Sequence, residues 1–562
     1  MNIFKNNTIK LAVIAVIVFG LIFGIISITR NIGKKPGTVN TESALNALEK
    51  LYNRLDVKTL TPRKENVDLT GVNSGENLPD ISMYPFVANP TTSTYIEIYS
   101  SPEKAGENYE SWLIDVAEKF NKSGATVNGE PVSVAVRNIS SGLGVDYIVS
   151  GKYKPDVFAP STELWGDMLI DRGVKVNLVE KSIAGNVAGI VLSKKKNDEL
   201  INKYGSVNSK VVVEAVLNNE LAMGYTNPFV SSTGLNFLLT TLYTLDGNNP
   251  LSDNSIAELQ KFQDNIPYVA YNTMQMKESA KSGSLDGFVM EYQTFVNSPD
   301  IKSAYIFTPF GVRHDQPVYE VGELSEVKKE ITRNFIDYCK TPEMQKLASD
   351  KGFNGMDDYV YEFSRADGAT ISEAQQTWKK EKSGTKDLTA VFVADVSGSM
   401  DGAPIIKLKE SLNSASKYIV PETHVGLVTF SDDVNIALPI AKFDLNQRSY
   451  FTGAVNDMQA GGGTAMYDAI VVATKMLMDA KEQNPNTKLM LFVLTDGETN
   501  RGFSLNDVEG MIRSLKIPIY TIGYNANIKV LQNLSDINEA ASINAETDDV
   551  MYKLESLFNA QM

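Results

Sequence analysis

The sequence contains 562 residues, of which 43% are hydrophobic and 22% are charged, as in ordinary globular proteins. At roughly 150 residues per domain, this length predicts three or four structural units. The formal net charge of -15 argues against a nucleic-acid partner, because phosphate backbones are bound through clustered Lys and Arg. The single cysteine, Cys339, excludes an intramolecular disulfide, and two histidines, His314 and His424, are too few for a zinc site of the common kind.

The amino-terminal residues 1–30 contain an uncharged apolar run at 11–29, about the length that a helix needs to cross a membrane. A cleaved signal peptide is the alternative, but its apolar region is usually shorter, and no small-x-small cleavage site precedes Arg30. We therefore expect an uncleaved single-pass anchor, which the balanced flanking charges do not orient. Residues 31–90, with one short helix at 42–55 and a polar tail containing Gly and Pro, are predicted to form a stalk.

Residues 91–355 alternate strands and helices, and small hydroxyl residues follow several of the strands. Strands are predicted at 95–99, 132–136, 156–159, 185–192, 221–225 and 287–290, and helices at 108–120 and 235–245. Hydroxyls after strands and before helices would gather at one edge of an α/β sheet. The candidate ligand-binding residues are Ser100, Ser101, Ser140, Ser141, Ser161, Thr162, Ser231, Ser232, Thr233 and Tyr292. Any single Ser or Thr of this set is better explained as a helix cap worth about 1 kcal/mol, but the whole set predicts a cleft.

Two lobes joined by crossing strands resemble a type II periplasmic or extracellular solute-binding protein. The words that carry the resemblance are YTNPFVSSTGLNFLL at 225–239 and GFVMEYQ at 287–293. The resemblance implies a two-lobed α/β module whose second lobe is closed by helices at 326–338 and 342–349. It does not name the ligand, since helix starts favour an anion but a peptide, or a cleft kept only as a scaffold, also fits. The polar residues 356–386, with a helix at 372–382, are predicted to be a linker.

Residues 387–562 read as a Rossmann-like α/β domain. Strands are predicted at 389–394, 425–430, 489–494 and 517–522, and helices at 406–418, 465–480, 505–515 and 550–558. Because the strands are apolar throughout, we expect a mostly parallel central sheet with helices on both faces.

Three loops of this domain carry oxygen-bearing side chains at strand ends or helix starts. The first contains Asp395, Ser397 and Ser399, the second is a run of three glycines followed by Thr464, and the third contains Asp496. Carboxylate and hydroxyl oxygens, with room for water, suit a hard cation such as Mg²⁺. Each loop alone is explained as a turn or a cap, but their order and positions together predict one metal site.

This domain resembles a von Willebrand factor A (vWA) domain with a complete metal-ion-dependent adhesion site. The D-x-S-x-S word stands at 395–399, and Thr464 and Asp496 follow in the family's order. The resemblance implies that Ser397, Ser399 and Thr464 give hydroxyl ligands to Mg²⁺, while Asp395 and Asp496 act largely through water and hydrogen bonds. Mn²⁺ and Ca²⁺ are alternative ions. An open coordination position would then take a carboxylate from a partner protein.

These features predict a binding protein of the cell membrane, with most of the chain extracellular or periplasmic. Its vWA domain would bind a protein ligand, and the solute-binding-like module would act as a sensor or second recognition site for a small solute or a peptide. The alternative is the solute receptor of an ABC-type transport system, docked through the vWA domain. An enzyme is not expected, because the sequence has no G-x-S-x-G elbow, no G-x-x-x-x-G-K-[ST] loop and too few histidines for a Ser/His/Asp set.

Overall fold

The computed structural model describes residues 41–67, 78–270, 276, 285–361, 363–382, 384–497, 499–524 and 542–544. Their strands form a seven-stranded sheet, sheets of six and five strands, and one two-stranded pair. None of the helices in this part of the chain is long and apolar enough to cross a membrane. The anchor predicted at 11–29 and the helix predicted at 550–558 lie outside the described residues.

A helix and a strand, α1 (Thr41–Tyr52) and β1 (Val57–Thr59), come first, and residues 78–382 then form two α/β lobes that we call the bilobal unit. Its strands are β2 (Phe86–Ala88), β3 (Tyr95–Ser100), β4 (Thr126–Val127), β5 (Glu130–Pro131), β6 (Ser133–Asn138), β7 (Val157–Ala159), β8 (Val176–Glu180), β9 (Val187–Ser193), β10 (Met223–Thr226), β11 (Tyr268–Ala270), β12 (Gly287–Glu291), β13 (Tyr305–Arg313) and β14 (Val318–Val321). Its helices are α2 (Pro102–Ala105), α3 (Trp112–Lys122), α4 (Ser141–Ser150), α5 (Leu164–Asp171), α6 (Lys194–Tyr204), α7 (Ser209–Leu217), α8 (Ser232–Leu245), α9 (Asp253–Asp264), α10 (Tyr292–Val296), α11 (Pro299–Ala304), α12 (Glu326–Cys339), α13 (Pro342–Asp350) and α14 (Gly368–Glu381).

The two lobes are built on separate sheets. The first lobe has the strand order β2-β6-β3-β7-β14-β8, and the second has the order β11-β10-β12-β9-β13. Strand β9, which corresponds to the crossover strand predicted at 185–192, runs antiparallel to both of its neighbours in the second sheet.

Helices α12 and α13 cover the first lobe, so the prediction that they close the second lobe was wrong. The Phe335 ring of α12 meets the Phe120 ring of α3 edge to face, with centroids 5.4 Å apart. Met344 of α13 accepts a hydrogen bond at its carbonyl oxygen from Trp112 Nε1 at 3.0 Å. The physical reason is topological: β14 returns the chain to the first sheet, and the helices that follow it pack there.

Helix α14 packs across both lobes, which corrects the prediction of a linker at 356–386. Trp378 is fully buried, and its Nε1 donates to the Tyr225 hydroxyl of the second lobe at 2.6 Å. On the first-lobe side, Arg365 forms an ion pair with Asp167 at 3.0 Å. Ile371 and Trp378 are both buried and lie seven residues apart on one face of the helix. The segment that was predicted to be a polar linker therefore contains an amphipathic helix.

The remaining strands and helices belong to the seven-stranded sheet and its covering layers. The strands are β15 (Asp387–Asp395), β16 (His424–Phe430), β17 (Val434–Lys442), β18 (Thr487–Thr495), β19 (Ile519–Gly523) and β20 (Ser542–Asn544). The helices are α15 (Ala403–Ser416), α16 (Leu445–Asn456), α17 (Met466–Gln483) and α18 (Leu505–Leu515). The order is β1-β17-β16-β15-β18-β19-β20, with every neighbouring pair parallel except β16 and β17. The mostly parallel sheet was predicted, whereas β17 and α16 were not.

The central strands are buried on both faces, as their apolar runs predict. On one face, the Phe392 and Phe492 rings stack with centroids 5.0 Å apart, and Tyr520 stacks on Phe492 at 5.0 Å. On the opposite face, Val391 and Val493 belong to a second apolar cluster that includes residues of α17. Helices therefore cover the sheet on both sides.

Residues 41–67 are part of this sheet unit, so the predicted stalk at 31–90 was wrong for that stretch. Helix α1 buries Leu48 in the apolar cluster beneath α17 and α18. Strand β1 extends the sheet in parallel with β17, with Val57 opposite Val434. Further along, Asn456 Nδ2 donates to Glu65 Oε2 at 2.6 Å. We call residues 41–67, 387–524 and 542–544 the seven-stranded unit, into which the bilobal unit is inserted.

The two units contact each other at the carboxyl end of α9. The Thr385 amide and hydroxyl donate to the Asp264 carboxylate at 2.8 and 2.6 Å. Lys386 Nζ donates to the Asp264 carbonyl oxygen and Lys488 Nζ to the Gln263 carbonyl oxygen, both at 2.8 Å. Two cations at a helix carboxyl end are favourable because the last carbonyl oxygens carry partial negative charge.

Candidate metal site and ligand cleft

Two of the three predicted metal-site loops begin at neighbouring strands of the seven-stranded sheet. β15 ends at Asp395 and β18 ends at Thr495, and the strands run parallel with Ala394 opposite Leu494. Both loops therefore leave the sheet at its carboxyl edge, where open α/β sheets place their ligands. Asp395 is fully buried at this edge and Asp496 is half-buried.

The Asp395 carboxylate joins the first loop to the third. Its Oδ1 accepts a hydrogen bond from the Ser397 amide at 2.8 Å, and its Oδ2 accepts one from Thr495 Oγ1 at 2.5 Å. Ser397 Oγ lies 3.1 Å from Ser399 Oγ. Because Ser397 is buried and Ser399 is exposed, the two hydroxyls extend from the buried carboxylate towards solvent.

The three-glycine loop packs directly on the first loop. The Gly398 amide donates to the Gly462 carbonyl oxygen at 3.0 Å, and the Gly461 amide donates to the Val396 carbonyl oxygen at 2.8 Å. A Cβ atom on Gly398 would stand only 3.2 Å from the Gly462 carbonyl oxygen, so glycine allows this close approach. Thr464, which ends the loop, is therefore held next to the first loop.

Asn500 joins the second loop to the third. Its Oδ1 accepts from the Thr464 amide at 2.9 Å, and its own amide donates to the Thr464 carbonyl oxygen at 3.1 Å. Thr499 Oγ1 donates to the same carbonyl oxygen at 2.8 Å. Hydrogen bonds thus connect all three pairs of loops, and the five predicted residues belong to one connected edge of the sheet.

Asp432 is a supporting residue that the sequence reasoning missed. Its carboxylate accepts from the Gly463 amide at 2.9 Å and pairs with Arg501 at 3.0 Å. A signal was available, because Asp432 comes just after the apolar strand β16, as Asp395 comes at the end of β15. Asn500 gave no comparable signal, since it lies in the middle of a polar loop.

The electrostatics of the site favour a cation. Burial raises the pKa of Asp395, the hydrogen bonds from Ser397 and Thr495 offset part of this rise, and the negative charge of Asp496 adds to it. A cation placed among these oxygens would relieve the burial and the repulsion between carboxylates.

The donor set fits Mg²⁺ better than zinc or a carboxylate-rich calcium cage. Within the described residues, no three His, Cys, Asp or Glu side chains are grouped so that they could hold a metal. Here two carboxylates accompany the hydroxyls of Ser397, Ser399 and Thr464. Mg²⁺ usually keeps several waters and takes only one or two carboxylates, which this set allows. The ion itself stays a prediction.

The bilobal unit contains a cavity of about 550 Å³, counting its open mouth. Seven of the ten predicted cleft residues line it: Ser101, Ser140, Ser141, Ser161, Ser231, Ser232 and Thr233. Residues from both lobes contribute, so the predicted gathering of hydroxyls is what the structure has. Ser232 Oγ also accepts a hydrogen bond from Trp165 Nε1 at 2.8 Å, which places a tryptophan directly behind the cavity wall.

Three predicted cleft residues do not line this cavity. Ser100 and Thr162 are buried, and the Ser100 hydroxyl has no hydrogen-bond partner among the described residues. Tyr292 packs edge to face on Phe307 with ring centroids 5.3 Å apart. Ser100 is the last residue of β3 and points away because successive strand side chains alternate between faces.

Residues 390–560 match the family model of the von Willebrand factor type A domain, and residues 105–354 match that of a bacterial extracellular solute-binding protein. The chain combines a vWA domain with a solute-binding-protein domain. The vWA model begins at 390, within β15, so α1 and β1, which pack on the vWA domain, lie outside the matched residues.

Curated relatives match the vWA part of the chain. Inter-alpha-trypsin inhibitor heavy chain H3 of Bos taurus is 29% identical over 160 residues, which are 26% of this chain and 18% of that protein. Heavy chain H4 of Bos taurus is 32% identical over 120 residues, or 20% of this chain and 13% of that protein. The chain thus spans less than a fifth of the length of these relatives.

Solved structures with similarity include proteins of both kinds. A von Willebrand factor type A protein from Catenulispora acidiphila is 20% identical, with 32% of this chain and 43% of that chain covered and a TM-score of 0.29. The sulfate-binding protein SubI from Mycobacterium tuberculosis H37Rv is 17% identical, with 47% and 88% covered and a TM-score of 0.34. At these TM-scores neither carries an argument about function.

The cleft of the solute-binding-protein domain also contains acids that the sequence reasoning missed. Glu103, Glu110 and Glu291 line the cavity together with Pro102, Val230 and Thr294. Glu291 accepts from Asn186 Nδ2 at 2.8 Å and from Thr233 Oγ1 at 2.9 Å, and its Oε1 lies 2.6 Å from His314 Nδ1. Glu103 and Glu110 lie in no predicted motif, and Glu291 lies in the GFVMEYQ word at 287–293 but was not predicted to be a cleft residue. The three acids come from both lobes, so their meeting depends on how the lobes pack together.

Proposed function

We propose that this chain is a membrane-anchored extracellular binding protein whose vWA domain binds a protein partner through Mg²⁺. The observation that carries the proposal is the hydrogen-bonded junction of the three loops at the carboxyl edge of the sheet. Ser397, Ser399 and Thr464 would hold the ion through hydroxyls, while Asp395 and Asp496 act through water and hydrogen bonds. Mn²⁺ and Ca²⁺ are alternative ions.

A bound Mg²⁺ would supply a positive charge with an exchangeable coordination position for a carboxylate of the partner. The chain's own groups support this role in two ways. Ser399 is exposed, so a partner can reach the ligand shell from solvent. The hydroxyl donors are neutral, so the ion keeps net positive charge and attracts an acidic side chain.

The solute-binding-protein domain would be a sensor or a second recognition site for a small solute or a peptide. Its insertion between β1 and β15 supports a sensor, because both ends of the domain are attached to strands of the vWA sheet. The contacts of Thr385, Lys386 and Lys488 with the end of α9 add a third connection. A change between the lobes would therefore reach the vWA domain through physical contacts.

The membrane anchor is proposed from the uncharged run at 11–29, and the extracellular or periplasmic location from the kinds of domain that follow it. The proposal assigns binding and not catalysis, since both matched families are binding modules.

The alternative function is that of a solute receptor for an ABC-type transport system, with the vWA domain as a docking module. A transport permease recovered with the chain in a chelator would favour that alternative.

Capture of partners from intact cells tests the proposal. The full-length chain in mild detergent should retain a protein partner in Mg²⁺ and release it in a chelator. Asp395→Asn keeps the side-chain size but removes the charge, and should capture no more in Mg²⁺ than the wild type does in chelator. Asp479→Asn, which removes a carboxylate that pairs with Lys475 on α17, is the matched control. Equal capture by Asp395→Asn and the control in Mg²⁺ would contradict the proposal.

A further inference from the structure

Part of the cavity is lined by groups that attract an anion. Helix α4 starts at the cavity with Ser140 as its N-cap residue, and helix α8 starts there with Ser231. Their first amide groups carry partial positive charge, which favours a negative group beside them. Hydroxyls of Ser101 and Ser161 lie on the same wall and can donate to an anion.

The chain provides a negative group of its own in the same cavity. Ser101 Oγ donates to Glu103 Oε1 at 2.5 Å, and both residues line the cavity. Burial alone would raise the pKa of Glu103, but the charge of Lys104 and the hydroxyls of Ser101 and Ser161 outweigh it, so the pKa is lowered. Glu103 therefore stays ionised, with its side chain 11% exposed, and its carboxylate takes the hydroxyl donors that a free anion would need.

The nearby cation is already committed to protein groups. Lys104 is fully buried, and burial lowers its pKa to about 8. Its Nζ lies 3.6 Å from Glu103 Oε1 and donates to Ser101 Oγ at 2.6 Å, to the Ala159 carbonyl oxygen at 2.8 Å and to Gln316 Oε1 at 2.8 Å. Lys104 thus stabilises the Glu103 carboxylate from behind and is not among the residues that line the cavity.

The ionisable side chains that line the cavity are acidic. Among the described residues that line the cavity, three are Glu and none is Lys, Arg or His. Glu291 accepts hydrogen bonds from Asn186 and Thr233, and its Oε1 lies 2.6 Å from His314 Nδ1. Glu103 and Glu110 lie on the first-lobe side, opposite the hydroxyl residues Ser231 and Thr233 of the second lobe. A free oxyanion placed here would meet two carboxylates at short range.

We propose that Glu103 fills the anion position of the cleft with the chain's own carboxylate, so that the cleft rejects free oxyanions and binds a small organic ammonium. An ammonium group can donate to the Glu103 carboxylate and to neighbouring hydroxyl oxygens, whereas a free anion would compete with Glu103 for the Ser101 hydroxyl. The inference rests on the proposed sensor role of this domain and names the class of solute that it senses.

Tryptophan fluorescence gives a direct readout, because the three tryptophans of the chain, Trp112, Trp165 and Trp378, all lie in the bilobal unit. Full-length protein in detergent is titrated with putrescine as the ammonium probe and with sulfate and molybdate as oxyanion probes, and melting is followed by the same signal. Wild-type protein should bind putrescine and neither oxyanion. Glu103→Gln should weaken putrescine about tenfold and gain sulfate binding, because an amide keeps the size but removes the charge. Glu107→Gln, at an exposed position four residues on, should behave as wild type.

The outcomes separate this inference from the proposed function. Tight sulfate or molybdate binding by the wild type, or identical behaviour of Glu103→Gln and Glu107→Gln, would overturn the ammonium assignment while leaving a solute-binding role. Absence of binding by every probe to both the wild type and Glu103→Gln would remove the assignment and the sensor role together. The Mg²⁺-dependent capture by the vWA domain is measured in a separate experiment, and none of these outcomes changes its interpretation.

Discussion

Leu48→Ala is expected to lower the melting temperature of the seven-stranded unit by about 5–15 °C, although Leu48 lies outside the matched vWA residues. Its side chain is 1% exposed and belongs to the same apolar cluster as Val391 and Leu491 of the central strands. Truncating a buried Leu to Ala costs about 2–5 kcal/mol, because apolar contacts are lost and a cavity remains. For a unit of this size, each kcal/mol corresponds to about 2–4 °C.

The measurement is differential scanning calorimetry of the full-length chain combined with tryptophan fluorescence. Because the tryptophans lie in the bilobal unit, the fluorescence transition identifies that unit, and the remaining heat signal belongs to the seven-stranded unit. Leu60→Ala is the matched control, since Leu60 lies in the same segment but is 46% exposed. That control should shift the transition by no more than about 1–2 °C. If both substitutions had the same small effect, residues 41–67 would be a stalk after all.

Asp395→Asn is expected to abolish the stabilisation of the seven-stranded unit by Mg²⁺. An ion that binds only the folded state at 100 times its dissociation constant adds about 2.7 kcal/mol, which is about 5–10 °C here. In chelator, the variant should melt at or above the wild-type temperature. The reason is that burial and the charge of Asp496 raise the pKa of Asp395, so the ionised carboxylate is costly without a cation.

The same calorimetric experiment, run in Mg²⁺ and in chelator, checks both parts of this expectation. An Asn side chain can accept from the Ser397 amide and donate to Thr495 Oγ1, so the local hydrogen bonds survive. Asp479→Asn should retain the full shift with Mg²⁺. An equal Mg²⁺ shift in Asp395→Asn would mean that the ion stabilises the chain from another place.

The metal-site loops could be predicted from the sequence because each carries a local signal. Asp395 and Asp496 stand at the ends of apolar strands. Parallel pairing alone brings the carboxyl ends of such strands to one edge of the sheet, independently of the remaining fold. The hydroxyl cleft was predicted for the same reason, with seven of the ten residues at the cavity. The local sequence pattern and the geometry of a parallel sheet were together sufficient to predict that these loops and these hydroxyl residues meet.

Long-range packing decided the features that the sequence did not reveal. Strand β1 is three residues long, and its partner β17 follows it only after the whole bilobal unit, so no local pattern joins them. Helix α14 looks polar in sequence, and its contacts with Tyr225 and Pro228 of the second lobe and with α5 of the first lobe show where it packs. The placement of Glu103 against Ser101 is a side-chain geometry that helix capping preferences do not predict.

Mn²⁺ binding followed by electron paramagnetic resonance is the most direct test of whether residues from three loops hold one divalent cation. Thr464→Val removes one hydroxyl and preserves the side-chain shape, in the three-glycine loop that is hydrogen-bonded to Val396 and Gly398 of the first loop. We expect one Mn²⁺ per wild-type chain, displaced by excess Mg²⁺, and a Mn²⁺ affinity at least about tenfold weaker in Thr464→Val. Equal Mn²⁺ affinity in the two proteins would contradict the three-loop site.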